Sequence, residues 1–286
     1  MRFIYVTDLH GWGPGYAAVH RAAVREKAEF IVNGGDMLPK GDGILRAQKQ
    51  FIQHWCPIWL RDCQRDGLKV YAMFGNDDLV ARLHFWRDLL GKTENLFDIS
   101  TAPFDLADGI KIIGFNWVPD YPFGLKDWCL LDSRGWQRPE QLGDPCISRD
   151  HAGFVDIPDI DKFFAERPTI DEALERQPAT DWAKTIFVCH CPPFGMELGR
   201  CSRLEDVGSK AVRRWIERTQ PLLCLHGHIH EGPSVSGLFT GMARESLCVQ
   251  PGQERPQAVA MVLVDIVDAG KRQIEVKRML EDPSPR

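Results

Sequence analysis

The 286-residue sequence has no long apolar run and no excess of positive charge. No stretch approaches the roughly 18 apolar residues that a membrane-spanning helix needs. The segment after Met1 reaches Asp8 too quickly to hold the apolar core of a secretory signal. The formal net charge of -5 gives no general attraction to a polyanion, which disfavours nucleic acid as the main partner. We therefore expect a soluble protein without a membrane partner.

The cysteines are not spaced as they are in small domains that are held together by disulfide bonds. The nine cysteines are odd in number and scattered, and no C-x-x-C pair is present. Small secreted domains held by disulfides show a different pattern. We therefore predict reduced thiols and a cytoplasmic location. The sequence also lacks a G-x-S-x-G motif, which argues against a serine nucleophile of that type.

Strand-like and helix-like patterns alternate through the first third of the chain. A chain of this length with 44% hydrophobic residues can bury a full core, and we expect one domain over residues 1–286. The predicted strands are 3–6, 30–32, 70–74 and 110–115, and the predicted helices are 15–27, 44–63 and 79–90. Proline lacks the N–H that a helix interior requires, so Pro57 should kink or split the second helix. The first βαβ unit favours parallel strands.

The regular pattern breaks at about residues 116–180, which contain seven prolines and three tryptophans. This composition predicts an ordered insertion with one or two short helices. Two interpretations remain open: a lid that faces the functional site, or a surface decoration whose tryptophans pack on the flank of the fold. Beyond it we predict strands at 185–188, 222–225, 247–249, 258–267 and 273–276, with a helix at 209–218. The tail should close a second sheet in antiparallel fashion.

Five short polar clusters each follow a predicted strand. In chain order they are Asp8-Leu9-His10, Gly35-Asp36, Gly75-Asn76-Asp77-Asp78, His190 and Gly227-His228-Ile229-His230. Strand ends on one edge of a sheet would bring seven oxygen and nitrogen ligands together: Asp8, His10, Asp36, Asn76, His190, His228 and His230. A pair of divalent ions about 3.5–4 Å apart needs such a set with one bridging carboxylate. Asp36 is the best bridging candidate, because the preceding glycines let the backbone turn tightly beside an ion.

Each cluster alone also has an ordinary explanation. A single D-x-H is common in turns and caps, and G-D or G-N-D is usual turn chemistry. The joint occurrence of all five in one order, each after a strand, favours the metal site. Mixed imidazole and carboxylate ligands suit Mn²⁺, Fe²⁺, Zn²⁺, Co²⁺ or Ni²⁺ rather than Ca²⁺. We therefore expect two divalent metal ions of undetermined identity.

The ordered motifs D-x-H, G-D, G-N-x-D/E, H and G-H-x-H resemble those of the calcineurin-like metallophosphoesterase superfamily over about residues 1–252, apart from the insertion. The resemblance implies a four-layer αββα sandwich with two mixed β-sheets and a dinuclear site at the strand ends. It also implies that Asp8, His10 and His230 hold one metal, that Asn76, His190 and His228 hold the other, and that Asp36 bridges them. The implied activity is hydrolysis of a phosphate ester through a metal-bridging hydroxide.

One residue departs from the family pattern. The family commonly has G-N-H-D/E, in which the histidine stabilises the transition state or protonates the leaving oxygen, whereas Asp77 occupies that position here. An ionised carboxylate beside two metals would repel a dianionic phosphomonoester more than a monoanionic phosphodiester, unless its pKa is raised. We therefore expect a small phosphodiester or a related phosphorylated metabolite as the substrate. Asn76, Asp77 and Asp78 are the candidate catalytic residues, although Asp78 better fits a role in orienting a ligand loop.

Four further residues are candidates for substrate or ligand contacts: His84, His226, Arg200 and Arg203. His84 is a possible substitute acid, or an ordinary histidine on a helix face. His226 could donate a hydrogen bond at the site, or have no catalytic role. The two arginines are candidates for a substrate phosphate, or belong to a solvated basic stretch.

Alternative functions are a nuclease, a phosphomonoesterase, a protein phosphatase, or a scaffold that has lost catalysis. A nuclease should have a basic groove, which the acidic composition does not suggest. A protein phosphatase needs an open groove as wide as a peptide. A scaffold should have lost ligands, and all seven are present.

Overall fold

Two six-stranded sheets form the centre of the structure. The computed structural model describes residues 1–253 and 256–284. The strands are β1 (Arg2–Val6), β2 (Phe30–Asn33), β3 (Lys69–Ala72), β4 (Leu96–Asp98), β5 (Phe104–Asp105), β6 (Lys111–Phe115), β7 (Val118–Pro119), β8 (Cys129–Leu130), β9 (Cys146–Arg149), β10 (Gly153–Asp156), β11 (Thr185–Cys189), β12 (Leu223–Leu225), β13 (Thr240–Ala243), β14 (Ser246–Val249), β15 (Val259–Asp268) and β16 (Gln273–Glu281).

The described residues form eight α-helices. They are α1 (Gly13–Arg25), α2 (Ile44–Gln50), α3 (Cys56–Arg65), α4 (Leu83–Leu90), α5 (Ile160–Ala165), α6 (Ile170–Glu175), α7 (Lys210–Thr219) and α8 (Gly232–Ser236). The helix predicted at 44–63 is split as Pro57 implied. A π-helical turn at Phe51–Trp55 separates α2 from α3, and Pro57 lies in the first turn of α3, where its missing N–H costs little. Within the described residues, no helix is both long and apolar enough to span a bilayer.

Alternation along the strands produces four layers. In β1, Ile4 and Val6 pack into a core with the helices, whereas Phe3 and Tyr5 face the second sheet. Strand β6 repeats this pattern on the other sheet. Its Ile112 belongs to the core between the sheets, and Ile113 packs with Trp215 of α7 on the outer face. The predicted four-layer sandwich is therefore confirmed.

Both sheets are mixed. The first has the order β16-β15-β1-β2-β3-β4, with parallel β1 to β4, and the second has the order β13-β14-β12-β11-β6-β5, with parallel β14, β12, β11 and β6. The tail was predicted to close a second sheet; its pairing is antiparallel as expected, but the sheet assignment was wrong for β15 and β16. Strands β15 and β16 extend the first sheet, because β15 pairs antiparallel with the free edge of β1. The second sheet ends instead at β13, which pairs with β14.

The insertion is ordered and is tied to the rest of the fold. It contains β7 to β10 and two short helices, α5 and α6, as its composition predicted. Inside it, the Lys126 ammonium lies 2.7 Å from the Asp120 carboxylate, and both side chains are fully buried. Trp128 packs edge-on against Phe74, and its indole N–H donates to the main-chain oxygen of Asp78 at 2.7 Å. The insertion therefore lies against the loop that follows β3.

Candidate metal centre

The structure brings all seven predicted ligands together at the carboxyl ends of the strands. A first group contains Asp8, His10, Asp36 and His230, whose ligand atoms all lie within 4.8 Å of one another. In this group, the Nε2 atoms of His10 and His230 are 3.1 Å apart, and His230 Nε2 is 3.5 Å from Asp8 Oδ1. These atoms face one another from loops more than 200 residues apart in sequence.

A second group contains Asp36, Asn76, His190 and His228. The Asn76 side-chain oxygen lies 3.1 Å from His190 Nε2 and 2.6 Å from His228 Nδ1. Asp36 links the two groups, since its Oδ2 is 3.5 Å from His190 Nε2 and 3.8 Å from His10 Nε2. Its carboxylate thus lies between the two groups.

The backbone around the site adopts conformations that most residues avoid. Asp8, His10, Asp36 and His228 all have positive φ angles, between 44° and 70°. Such conformations cost free energy in non-glycine residues and concentrate at functional sites. Gly75 is required by close packing, since a Cβ there would lie 2.3 Å from Asp36 Oδ1. The turns after β1, β2 and β12 thus direct their polar side chains into one small volume.

Hydrogen bonds to the main chain orient the candidate ligands. The His190 Nδ1–H donates to the Gly34 carbonyl at 2.8 Å, which leaves Nε2 directed toward Asn76 and Asp36. The main-chain N–H of His228 lies 3.1 Å from each Asp8 carboxylate oxygen. The bond from His190 to Gly34 is typical of metal-binding histidines, in which the ring nitrogen that does not contact the ion usually donates to a carbonyl or carboxylate oxygen.

Burial and charge set the protonation of these groups. Burial lowers the pKa of His10 and of His228 to about 3, so both imidazoles are neutral at pH 7 and have a lone pair for an ion. Burial also lowers the pKa of His190, but the Asp36 charge outweighs it and raises that pKa to about 9. Burial raises the pKa of Asp8, yet the hydrogen bond and charge of His230 lower it to about 2.

This donor set fits a pair of divalent cations. It combines two buried carboxylates, an amide oxygen and four imidazoles, and such mixed ligands suit first-row transition metals. In the metal-free protein, the His190 imidazole is protonated at pH 7, and its positive charge lies beside Asp36. Metal binding at such a site releases protons from its ligands.

Asp77 and Asp78 have different environments. Asp77 lies at the mouth of the site with its side chain 28% exposed, 3.8 Å from His10 Nδ1 and 3.6 Å from the Lys40 ammonium. Burial and the charge of Asp36 raise its pKa to about 6. Asp78 is fully buried and accepts hydrogen bonds from the main-chain N–H groups of Gly75, Met37 and Leu38. It ties the loop after β2 to the loop after β3.

The other four candidates are scattered. Arg203 lines the cleft above the metal groups, whereas Arg200 pairs with Glu197. His84 is not among the residues that line the cleft, and its Nδ1 lies 3.6 Å from the Asp150 carboxylate. His226 is fully buried, and its Nδ1 contacts the carbonyls of Cys189 and Cys191.

A cleft of about 800 Å³ opens over the metal groups, and the insertion forms one of its walls. Tyr121 has its ring centroid 6.0 Å from that of His228. Sequence reasoning did not identify Tyr121, Lys40 or Lys210 as cleft residues. Of these, Lys40 follows Asp36 by four residues in the same loop, and Lys210 belongs to the basic stretch that also contains Arg200 and Arg203, whereas Tyr121 carried no local signal.

The sequence profile of the calcineurin-like phosphoesterases matches residues 1–232. The chain belongs to the calcineurin-like phosphoesterase family. The matched region contains all seven candidate ligands. No curated protein matches the sequence.

Two solved structures share the fold of this chain at low sequence identity, and a third is less similar. One crystal structure has 12% identity and a TM-score of 0.59, covering 97% of this chain and 98% of its own. The protein TT1561 of Thermus thermophilus has 15% identity and a TM-score of 0.55, with 96% and 97% covered. A dimetal phosphatase from Danio rerio has 12% identity and a TM-score of 0.48, with 99% of both chains covered.

Proposed function

We propose that this protein is a metal-dependent phosphoesterase that hydrolyses a small phosphodiester or a related phosphorylated metabolite. The observation that carries the proposal is the convergence of seven nitrogen and oxygen ligands at the base of a cleft, in a chain of this family. One cation would be held by Asp8, His10 and His230, and the other by Asn76, His190 and His228. Asp36 would contact both cations. Two bound cations lower the pKa of a water, orient a phosphoryl group and offset its developing charge. Manganese is the first ion to test, with Fe, Zn, Co and Ni as alternatives.

The volume and the lining residues of the cleft fit a small substrate that has an apolar part. Its volume of about 800 Å³ lies in the range of small-molecule sites. The side chains of Tyr121, Phe123 and Trp136 offer aromatic surface on the insertion side. Lys40, Arg203 and Lys210 line the same cleft and would attract a phosphate group.

Asp77 favours a diester. With a pKa of about 6, its carboxylate is mostly ionised at neutral pH, beside the position that a phosphate would occupy. A dianionic monoester is repelled more strongly than a monoanionic diester. A phosphomonoester is the second candidate, because Lys40 lies 3.6 Å from Asp77 and partly offsets its charge.

The test is hydrolysis of bis-p-nitrophenyl phosphate and p-nitrophenyl phosphate by the metal-reconstituted protein. We expect turnover of the diester by the wild type, loss of activity in Asp36→Asn, and a shift toward the monoester in Asp77→His. Asp105→Asn is the matched control, because Asp105 has a 79% exposed side chain outside the cleft, and it should leave both activities unchanged. Full turnover by Asp36→Asn would contradict the bridging role, and an unchanged preference in Asp77→His would contradict the diester assignment.

We also propose that residues 1–286 form one domain, in which the 116–180 insertion shapes the cleft. A cytoplasmic location is proposed from the odd number and scattered spacing of the cysteines.

A further inference from the structure

A second group of metal-binding side chains lies on the outer face of the second sheet. Cys224 Sγ, Cys248 Sγ and a ring nitrogen of His226 all lie within 4.8 Å of one another, and the three residues are fully buried. Cys224 and His226 are two positions apart at the end of β12, so their side chains project to the same face. Cys248 is the direct register partner of Cys224 on the neighbouring parallel strand β14.

His226 is held in the orientation of a metal ligand. Its Nδ1 lies 3.0 Å from the carbonyl oxygens of both Cys189 and Cys191, so Nδ1 must carry the proton. Its Nε2 is buried and has no hydrogen-bond partner among the described residues. A buried imidazole nitrogen without a partner is costly, and a bound cation would satisfy it. Histidine ligands are commonly fixed by a bond from the other ring nitrogen to a main-chain carbonyl.

The chemistry of this group differs from that of the dinuclear site. Two thiolates and an imidazole select thiophilic ions such as Zn²⁺ and Cu⁺. Loss of two thiol protons on binding Zn²⁺ leaves the site electrically neutral, whereas Cu⁺ would leave one negative charge in a buried position.

We propose that Cys224, His226 and Cys248 bind one Zn²⁺ that is separate from the dinuclear centre. These three residues would supply three of the four ligands that zinc prefers. The ion would join β12 to β14. Through His226 it would also brace the two carbonyls that flank His190, so its role is structural positioning of the loop that carries this candidate ligand.

Cobalt substitution tests the proposal without relying on activity. The seven residues of the dinuclear site include no sulfur ligand, so a thiolate-to-cobalt charge-transfer absorption in the near ultraviolet reports only on the cysteine cluster. We expect this absorption in the wild-type protein produced with Co²⁺ under reducing conditions. It should persist in Asp36→Asn, and the zinc-loaded wild type should hold one more equivalent of zinc than Cys248→Ala.

The control is Cys63→Ser, since Cys63 is fully buried in α3, in a different core cluster. This variant should keep the absorption and the full zinc content. Absence of the thiolate absorption from folded, cobalt-loaded wild type would overturn the proposal. An unchanged absorption in Cys248→Ala, or a Cys224–Cys248 disulfide in protein kept under reducing conditions, would also overturn it.

Discussion

The main-chain N–H of Asp77 donates a hydrogen bond to the Asp36 carboxylate at 2.7 Å. This contact holds the residue that departs from the family pattern next to the candidate bridging ligand. Two carboxylates therefore lie close together in a largely buried site, and the charge of Asp36 raises the pKa of Asp77.

The first prediction concerns Asp77 in the metal-free protein. Its pKa is raised from 3.8 to about 6 by burial and by Asp36, so the folded state holds this proton more tightly than the unfolded state does. The ionised carboxylate therefore destabilises the fold above about pH 6, and this cost disappears as the pH falls below about 4. Asp77→Asn should increase the free energy of unfolding by ~2 kcal/mol at pH 7.5 and by almost nothing at pH 4. Urea unfolding after chelation measures both values, and an equal effect at the two pH values would contradict the prediction.

Asp78 should matter for loop position rather than for chemistry. Asp78→Asn replaces an acceptor oxygen by an N–H₂ group that would face main-chain donors, which should destabilise the protein by about 1–3 kcal/mol. Because Asp78 joins the loops that carry Asp36 and Asn76, metal affinity should fall as well. Asp127→Asn is the matched control, since Asp127 is also buried and accepts main-chain N–H groups, but in the insertion. It should lose stability and keep its metal affinity, as measured by competition with a chelating dye.

Gly75 should not tolerate a methyl group. In Gly75→Ala the added Cβ would lie 2.3 Å from Asp36 Oδ1 and 2.7 Å from the His190 ring, so both side chains must move. We expect at least a tenfold loss of metal affinity by isothermal titration calorimetry. Gly143→Ala provides the comparison, because a Cβ there has ordinary space. Equal affinities in the two variants would show that the packing around Gly75 does not hold the ligands in place.

The buried pair of Lys126 and Asp120 should anchor the insertion. Lys126→Met leaves the Asp120 carboxylate without its nearest charge partner in a buried position, which should cost roughly 3 kcal/mol. The cleft wall that contains Tyr121 should also become less rigid in this variant. We therefore expect KM to rise more than kcat falls. Lys162→Met removes an exposed pair with Glu166 and should change stability by less than about 0.5 kcal/mol. A similar small change in both variants would indicate that the buried pair does not anchor this wall.

The sequence was most informative where local pattern and spacing determine structure. Buried strands followed by glycine and a ligand residue located the turns around Asp36 and Asn76, and Pro57 marked the break in the long helix. The sequence was less informative about which strands pair when they are far apart in the chain. Nothing local indicates that β15 should pair with β1 rather than extend the second sheet.

The same limit applies to side chains that meet only in the folded chain. Cys224 and His226 have the spacing of strand neighbours, but Cys248 lies 22 positions beyond His226 and joins them only through the β12–β14 register. Tyr121 reaches His228 because the buried Asp120–Lys126 pair fixes its loop, and composition alone cannot predict that contact.

The most direct measurement of the central claim is a crystal structure of the manganese-loaded protein with an anomalous difference map. We predict two peaks about 3.5–4 Å apart, with the Asp36 carboxylate contacting both. The first should be bound by Asp8, His10 and His230, and the second by Asn76, His190 and His228. A single peak, no peak, or an Asp36 carboxylate that contacts neither ion would contradict the account.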